Sequence, residues 1–343
     1  MYECDPLQEN MDAFTQILEQ NAYRACIPLK GTFELTARCN FNCNMCYVHL
    51  NEEQIQKQGR ELTNEEWLEI ARQAKDAGML YLTLTGGEVF ARPGFKELYL
   101  ALSEMGFLIQ IMSNGYCVDE KVMEWLEQVP PYMMRFTLYG ASNETYAKVC
   151  GIKDGFTRVS HAIDLVKKMN IPFYLVSTLV KENQHDFDEM CKFAEMKNVI
   201  FRATANVIKS IRGVTHNIEE HRIDIDEFIN EECEELPPIT NLLEVCGNFR
   251  KGFFLTWDGN LQLCSFMNKP IISLREQSFK AAWKKMLLEL IQITMPKECT
   301  DCKYSSYCSR CPGIMTAECG SCDQVNEVFC EKAKKLYYKF NKG

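Results

Sequence analysis

Three cysteines stand as Cys39-x3-Cys43-x2-Cys46, and nine more lie from residue 246 onward: Cys246, Cys264, Cys299, Cys302, Cys308, Cys311, Cys319, Cys322 and Cys330. Three thiolates converging on one loop leave a fourth position open on either a zinc ion or a four-iron cluster, so the spacing points to a metal centre able to take a further ligand. A structural zinc prefers four protein ligands, and only His49 stands nearby to complete one. The tail carries two Cys-x2-Cys units, Cys299/Cys302 and Cys308/Cys311, a pattern shared by zinc ribbons and iron–sulfur domains. Disulfides are the poorer explanation of 18 cysteines. The N-terminus Met-Tyr-Glu-Cys-Asp-Pro has neither the basic patch nor the apolar run of a secretory signal, and the cytosolic compartment this implies keeps thiols reduced.

Further chemistry-bearing residues follow short apolar runs. Thr85-Gly86-Gly87-Glu88 places two glycines, which let backbone approach a ligand, before a carboxylate that can accept hydrogen bonds from an amine. Ser113-Asn114-Gly115 and Thr137-Leu138-Tyr139-Gly140 are similar turns. Cys117, Cys150 and Tyr139 lie close enough behind these turns to reach a site mouth, which makes them candidate catalytic groups. Cys4, Cys26, Cys191 and Cys233 read as small core hydrophobes.

The elements that must position these residues alternate. Apolar, β-branched or aromatic runs at Gly31–Ala37, Met79–Thr85, Phe107–Met112, Met133–Tyr139, Pro172–Val180 and Val199–Ala205 predict strands. Between them lie amphipathic stretches such as Thr63–Ala77, where Thr63 and Glu66 make a capping box and Gly78 ends the helix, and Thr157–Lys168. Strands alternating with helices imply a parallel sheet, doubly wound or curled as a partial barrel, with the site at the strands' C-terminal ends. Residues 1–30 read as one helix and a connector, 31–210 as the core, 211–245 as an acidic linker broken by Pro237-Pro238, and 246–343 as a tail that needs cross-links to hold a shape. Within the tail, Phe253–Trp257 and Leu261–Cys264 flank Asp258-Gly259 as a hairpin, and Gln277–Ile291 reads as a helix.

The cysteine loop, the Gly-Gly-Glu turn and the Ser-Asn-Gly turn, in this order, resemble the radical S-adenosylmethionine (SAM) superfamily. The resemblance implies an α/β fold with a partial (β/α)6 TIM-type barrel, and a [4Fe-4S] cluster on Cys39, Cys43 and Cys46 whose open iron chelates SAM. Gly86, Gly87 and Glu88 would receive the methionine ammonium, Ser113, Asn114 and Thr137 would lie near the ribose and carboxylate, and Lys148 would pair with the carboxylate. One electron would then cleave SAM to a 5′-deoxyadenosyl radical that abstracts hydrogen from substrate. The loop departs from the family at Met45, where an aromatic residue is usual, with Tyr47 following the last cysteine.

The tail resembles the SPASM extension, a small cysteine-rich domain. By that resemblance Cys299, Cys302, Cys308 and Cys330 would bind a distal auxiliary iron–sulfur cluster, and Cys246, Cys264 and Cys311 a nearer one, both of [4Fe-4S] type. Cys319 or Cys322 could complete the nearer cluster, or its last iron could be open. Only two residues separate Cys308 from Cys311, where three are usual.

The resemblance further implies a peptide substrate, a ribosomally made peptide that is cross-linked or epimerised. Some 30 residues precede the first strand, fewer than a leader-peptide-binding domain needs, so recognition falls to the core, the tail or a separate leader-binding protein. An external reductant of flavodoxin or ferredoxin type would supply the electron. Formylglycine formation in sulfatases, small-molecule chemistry, and a non-enzymatic zinc or iron–sulfur module are the competing readings. A net charge of −9 argues against non-specific nucleic-acid binding, and no run approaches the ~18 apolar residues of a membrane span.

Overall fold

The computed structural model describes residues 13–212, 217–223, 246–308 and 311–341. Six parallel strands run β1 Lys30–Glu34, β2 Tyr81–Thr85, β3 Leu108–Ser113, β4 Met133–Thr137, β5 Phe173–Thr178 and β6 Phe201–Thr204. They lie side by side in chain order. A doubly wound sheet reverses its order at a switch point, and this one does not. Successive right-handed crossovers in one direction put every connecting helix on the same face, which is the geometry of a partial barrel.

The burial pattern shows why. The register row Phe33, Leu84, Ile111 and Met134 is completely shielded from solvent, and Phe33 packs on Trp67 of the helix that precedes β2, in a tilted pair with ring centroids 4.9 Å apart. The opposite face carries Thr32, Thr83, Gln110, Arg135, Thr137 and Arg202, all half-buried. Parallel strands covered on both faces read as continuous apolar runs, whereas these alternate because their inner face lines an open lumen. Polar side chains there pair across strands, as Gln110 does with Thr83 at 3.4 Å and with the Tyr174 hydroxyl at 3.1 Å.

The helices are α1 Ala13–Ala25, α2 Glu52–Gln58, α3 Asn64–Asp76, α4 Phe95–Glu104, α5 Glu120–Leu126, α6 Asn143–Cys150, α7 Gly155–Lys168 and α8 Phe187–Lys197. Helix α3 begins at the expected capping box, Thr63 with Glu66, and buries Trp67, Ile70, Ala71 and Ala74. Gly78, at φ 110°, turns the chain back into β2 in a conformation that only glycine adopts freely.

The tail is joined to the core through one sheet. Strand β7, Gly252–Leu255, pairs in parallel with β1, and β8 Asn260–Gln262 and β9 Ile272–Ser273 continue as an antiparallel meander, so one sheet of nine strands runs through core and tail. Helix α9, Phe279–Leu290, closes over it: Phe279 packs on Phe253 at 4.8 Å, and the Phe279 amide donates to Gln73 of α3 at 2.8 Å. This half of the tail is held by apolar burial and by its pairing with β1. Only the part containing α10 Pro312–Cys319 and α11 Glu327–Phe340 lacks a sheet of its own. Most of the expected linker, 224–245, lies outside the described residues, as do Cys4 and Cys233.

Phe33→Ala should lower stability by about 3–5 kcal/mol, since a buried aromatic leaves a cavity. Thr32→Ala, on the lumen side of the same strand, should cost under about 1 kcal/mol. Urea midpoints at unchanged slope are the measurement.

Candidate metal centre

The chain leaves β1 at Glu34 and turns through the cysteine loop at the C-terminal edge of the sheet. Phe41 is the peg that seats this loop: it is buried, with edge-on contacts to Tyr116 (5.5 Å), Tyr139 (6.0 Å) and Tyr146 (6.4 Å). The amides of Asn42 and Asn44 donate to the carbonyls of Cys150 and Val149, each at 3.0 Å, so the loop hangs from the last turn of α6. Cys43 is buried, and Cys39 and Cys46 are half-buried.

Burial pushes the Cys39 and Cys46 thiols up, Cys46 to about 12, and the Cys43 thiol is raised first by its neighbour Cys150 and then by burial. They become thiolates only where a cation replaces the proton, which is what an iron–sulfur cluster does. Among the described residues no three thiol, imidazole or carboxylate groups gather closely enough to hold one metal ion. A structural zinc takes four protein ligands, whereas an iron–sulfur cluster on three thiolates keeps one iron open. The loop also holds two orphaned buried atoms, Asn40 Nδ2 and Asn44 Oδ1. Asn40 Nδ2, one residue from Cys39, is a free donor suited to cluster sulfur. The donor set therefore fits an iron–sulfur cluster better than zinc.

The Gly-Gly-Glu turn lies against the start of the cysteine loop. Its glycines approach the protein's own backbone: a Cβ on Gly86 would lie 2.7 Å from the Thr36 carbonyl oxygen, and one on Gly87 would fall on the Arg38 carbonyl. The Gly87 and Glu88 amides donate to the carbonyls of Thr36 (2.8 Å) and Arg38 (3.0 Å), zipping this turn to the start of the cysteine loop. Glu88 is almost completely buried. Its carboxylate accepts from the Ser113 hydroxyl (2.9 Å), the Asn114 amide (2.7 Å) and the Phe90 amide (3.0 Å). Asn114 Nδ2 in turn donates to Asn40 Oδ1 at 2.8 Å and reaches the Cys39 sulfur at 3.7 Å. Burial raises the Glu88 carboxyl to about 7 against the pull of these three donors. A bound ammonium would bring it back down.

Other expected residues are placed unevenly. Thr137 ends β4 on the lumen face, half-buried. Lys148 turns away: it is exposed on α6 and pairs with Glu144 one turn earlier at 2.8 Å, because an i,i+4 ion pair in water is its nearest partner. Cys117 lies close enough to Glu88 for that charge to raise its thiol, after burial, to about 11. Cys150 is fully buried, its carbonyl accepting from the Asn42 amide of the cysteine loop, and Tyr139 packs edge-on against Phe41 of the same loop.

In the tail, Cys264 and Cys311 meet around Gly313, whose Cβ would lie 3.0 Å and 3.7 Å from their sulfurs. Cys246 is near both, and all three thiols are raised chiefly by burial. Cys330, at the start of α11, faces Cys302, an approach secured by Tyr307 packing on Ala333 and Leu336. Cys319 and Cys322 flank the C-terminal end of α10. Cys311 caps the start of α10 and Cys319 ends it, about 12 Å along the axis. The groups acting on Cys319 are Asn326, Glu318 and Lys209, and those on Cys322 are Asp323 and Thr316.

Two features went unread in the sequence. Glu34, at the end of β1, forms a buried ion pair with Arg212, which arrives from beyond β6, and burial raises the Glu34 carboxyl despite this partner. Tyr47 hydrogen-bonds Ser265 and packs on Phe266 at 5.2 Å, joining the loop after Cys46 to the segment after Cys264. Met45, at the departing position, is core.

The geometry defines a class: an open parallel half-barrel that gathers cluster-binding thiols at its C-terminal edge, with a second thiol group in a tail built onto its first strand. Residues 33–194 match the radical SAM superfamily, and residues 246–312 match an iron–sulfur cluster-binding domain, SPASM. The chain carries a radical SAM domain and a SPASM domain, and these domains imply SAM and iron–sulfur clusters as cofactors. It is similar to the sporulation killing factor maturation protein SkfB of Bacillus subtilis, 26% identical over 61% of this chain and 50% of that protein. It is also similar to the PqqA peptide cyclase of Rhizobium meliloti, 30% identical over 49% of this chain and 44% of that one. The chain thus spans about half the length of these relatives. Its fold is that of Streptococcus suis SuiB bound to S-adenosylmethionine, with TM-score 0.66 and 15% identity over 93% of this chain and 82% of SuiB. No described helix is long and apolar enough to cross a membrane.

Gly87→Ala should cut iron uptake by the first site severely, since its Cβ falls on the Arg38 carbonyl; iron per chain reads this. Glu88 gives a pH signature. Its carboxyl ionises near 4.5 when unfolded and near 7 in the fold, so its contribution is full below about 4.5 and lost as pH rises to 7. The loss is on the order of 3 kcal/mol. Urea midpoints of the reconstituted chain without SAM should fall more steeply from pH 5 to 8 than those of Glu88→Gln.

Proposed function

We propose that this chain is a peptide-modifying enzyme that abstracts hydrogen from a ribosomally made peptide and leaves it cross-linked or epimerised. The observation that carries the reading is the conjunction of the two thiol groups: Cys39, Cys43 and Cys46 at the mouth of a polar lumen, and Cys246, Cys264 and Cys311 in the adjoining tail. The relatives, a maturation protein for a killing factor and a peptide cyclase, support the substrate class.

When bound, the cluster and SAM supply one electron and, from reductive cleavage of SAM, hydrogen-abstracting chemistry. The chain's own part is positioning and exclusion of water. Cys39, Cys43 and Cys46 hold the first cluster, with Asn40 donating toward it. Gly86, Gly87 and Glu88 fix the turn that receives the methionine ammonium, with Ser113 and Asn114 locked to Glu88 and Thr137 on the lumen wall. Cys246, Cys264 and Cys311 hold the nearer auxiliary cluster, and Cys299, Cys302, Cys308 and Cys330 the distal one. A flavodoxin- or ferredoxin-type donor provides the electron, and the core, the tail or a separate leader-binding protein recognises the peptide.

Anaerobically reconstituted protein should be brown and contain about 12 iron atoms per chain if all three clusters have four irons. With SAM and dithionite it should release 5′-deoxyadenosine, and Cys43→Ala should abolish this. Incubation with the peptide encoded beside it should give a loss of two hydrogens, or deuterium uptake without mass change in light water, by mass spectrometry. Colourless protein holding only zinc would overturn the reading.

A further inference from the structure

The segment that leaves β6 returns across the open side of the half-barrel and carries one guanidinium to the opposite wall. Arg212 follows β6, at one edge of the sheet, yet its Nη1 donates to Glu34 at the end of β1. Its guanidinium lies 5.8 Å from the ring of Phe254 in β7. Glu34 and Phe254 both belong to the lumen face, since Glu34 stands two residues beyond Thr32 on β1 and Phe254 is the register partner of Thr32. The backbone of the same segment is anchored beside the cysteine loop: the Ile211 amide donates to the Tyr47 carbonyl at 3.4 Å, and the Arg212 carbonyl accepts from Gln58 Nε2 at 3.4 Å. Tyr47 packs on Phe266, so Arg212 arrives where the first thiol loop meets the tail.

The Arg212 side chain is one-tenth exposed, and among the described residues its Nε and Nη2 have no hydrogen-bond partner. These two N–H groups share one edge of the planar guanidinium, the edge that meets an oxygen acceptor side-on. Each costs desolvation while it is left unmet. Glu34 takes Nη1, so the ion pair accounts for one corner of the group and leaves this edge unexplained. We propose that the Nε–Nη2 edge of Arg212 binds a main-chain carbonyl of the peptide substrate and sets the course of the peptide between the first thiol group and the tail. The proposal rests on the peptide reading above and deepens it. Charge decides between a carbonyl and a carboxylate. Glu34 already neutralises Arg212, and Asp258 acts on both from nearby. A substrate carboxylate would enter as an uncompensated negative charge, whereas a carbonyl oxygen takes both N–H groups and adds none.

The test is binding of a fluorescein-labelled copy of the peptide encoded beside this chain to the anaerobically reconstituted full chain, with SAM and without reductant, read as fluorescence anisotropy. Arg212→Lys keeps a cation for Glu34 and loses the flat edge, and its dissociation constant should rise at least about tenfold at unchanged iron content. Arg212→Gln, which lacks both charge and edge, should weaken binding at least as far and serves if the lysine variant loses iron. Glu34→Gln keeps the edge and removes the countercharge, and it should bind within about threefold of the unmodified chain, as should peptides with each Asp or Glu changed singly to its amide. Equal binding by the Arg212 variants and the unmodified chain overturns the proposal and leaves the peptide reading standing. So does a loss in Glu34→Gln as large as in Arg212→Lys, which would make the pair a structural latch, or an equal loss from one acidic-to-amide change in the peptide, which would make the occupant a carboxylate. Absence of binding by an unmodified chain that holds its iron overturns the peptide reading and this proposal with it.

Discussion

A carboxylate that water does not reach ties three turns into one rim. Glu88 accepts hydrogen bonds from Ser113 and Asn114 of the turn after β3 while its own amide is held by Arg38 of the cysteine loop. Burying a carboxyl is costly unless donors surround it, and three donors only partly offset that cost here, as its raised ionisation shows. The arrangement is tolerated because it makes the rim a single unit: Asn114 carries the chain of bonds on to Asn40 and to the Cys39 sulfur. A rim built this way holds its thiols in place before any cofactor arrives, so little ordering entropy remains to be lost on binding.

The same economy explains the tail. A cysteine-rich segment far from the core in sequence could have formed a detached module, with its clusters at an arbitrary distance. Instead β7 adds to the free edge of β1, and Tyr47 links the loop after Cys46 to Ser265 and Phe266, beside Cys264. Sheet hydrogen bonds and the Phe253–Phe279 contact thus fix the second thiol group relative to the first. The part beyond α9, with its own small cluster of Tyr307, Ala333 and Leu336, has less apolar surface to bury, and there metal binding has most to contribute to folding.

Much of the fold was legible. The six strands and their helices followed from periodicity and caps such as Thr63/Glu66, because local signals of that kind are set by neighbouring residues. Partial barrel against doubly wound sheet stayed open in the pattern alone, since strand order is a non-local fact; the dry row of Phe33, Leu84, Ile111 and Met134 opposite a polar lumen decides it. The thiols were legible from spacing. What escaped was who touches them. Lys148 reads as a cofactor partner but points into solvent toward Glu144, and Cys319 stands a helix length from the group it was candidate to complete.

By itself the sequence determined the inventory: which residues can be ligands, where strands start and helices are capped, and that thiols cluster in two places. Those follow from side-chain chemistry and from contacts a few residues long. Only the tertiary structure decided that Gly86 and Gly87 serve a close approach of two backbones, that Glu34 meets Arg212, and that Glu88 gathers Ser113 and Asn114. Each of these joins residues brought together by sheet register and helix packing, and no spacing along a chain encodes a distance through the core.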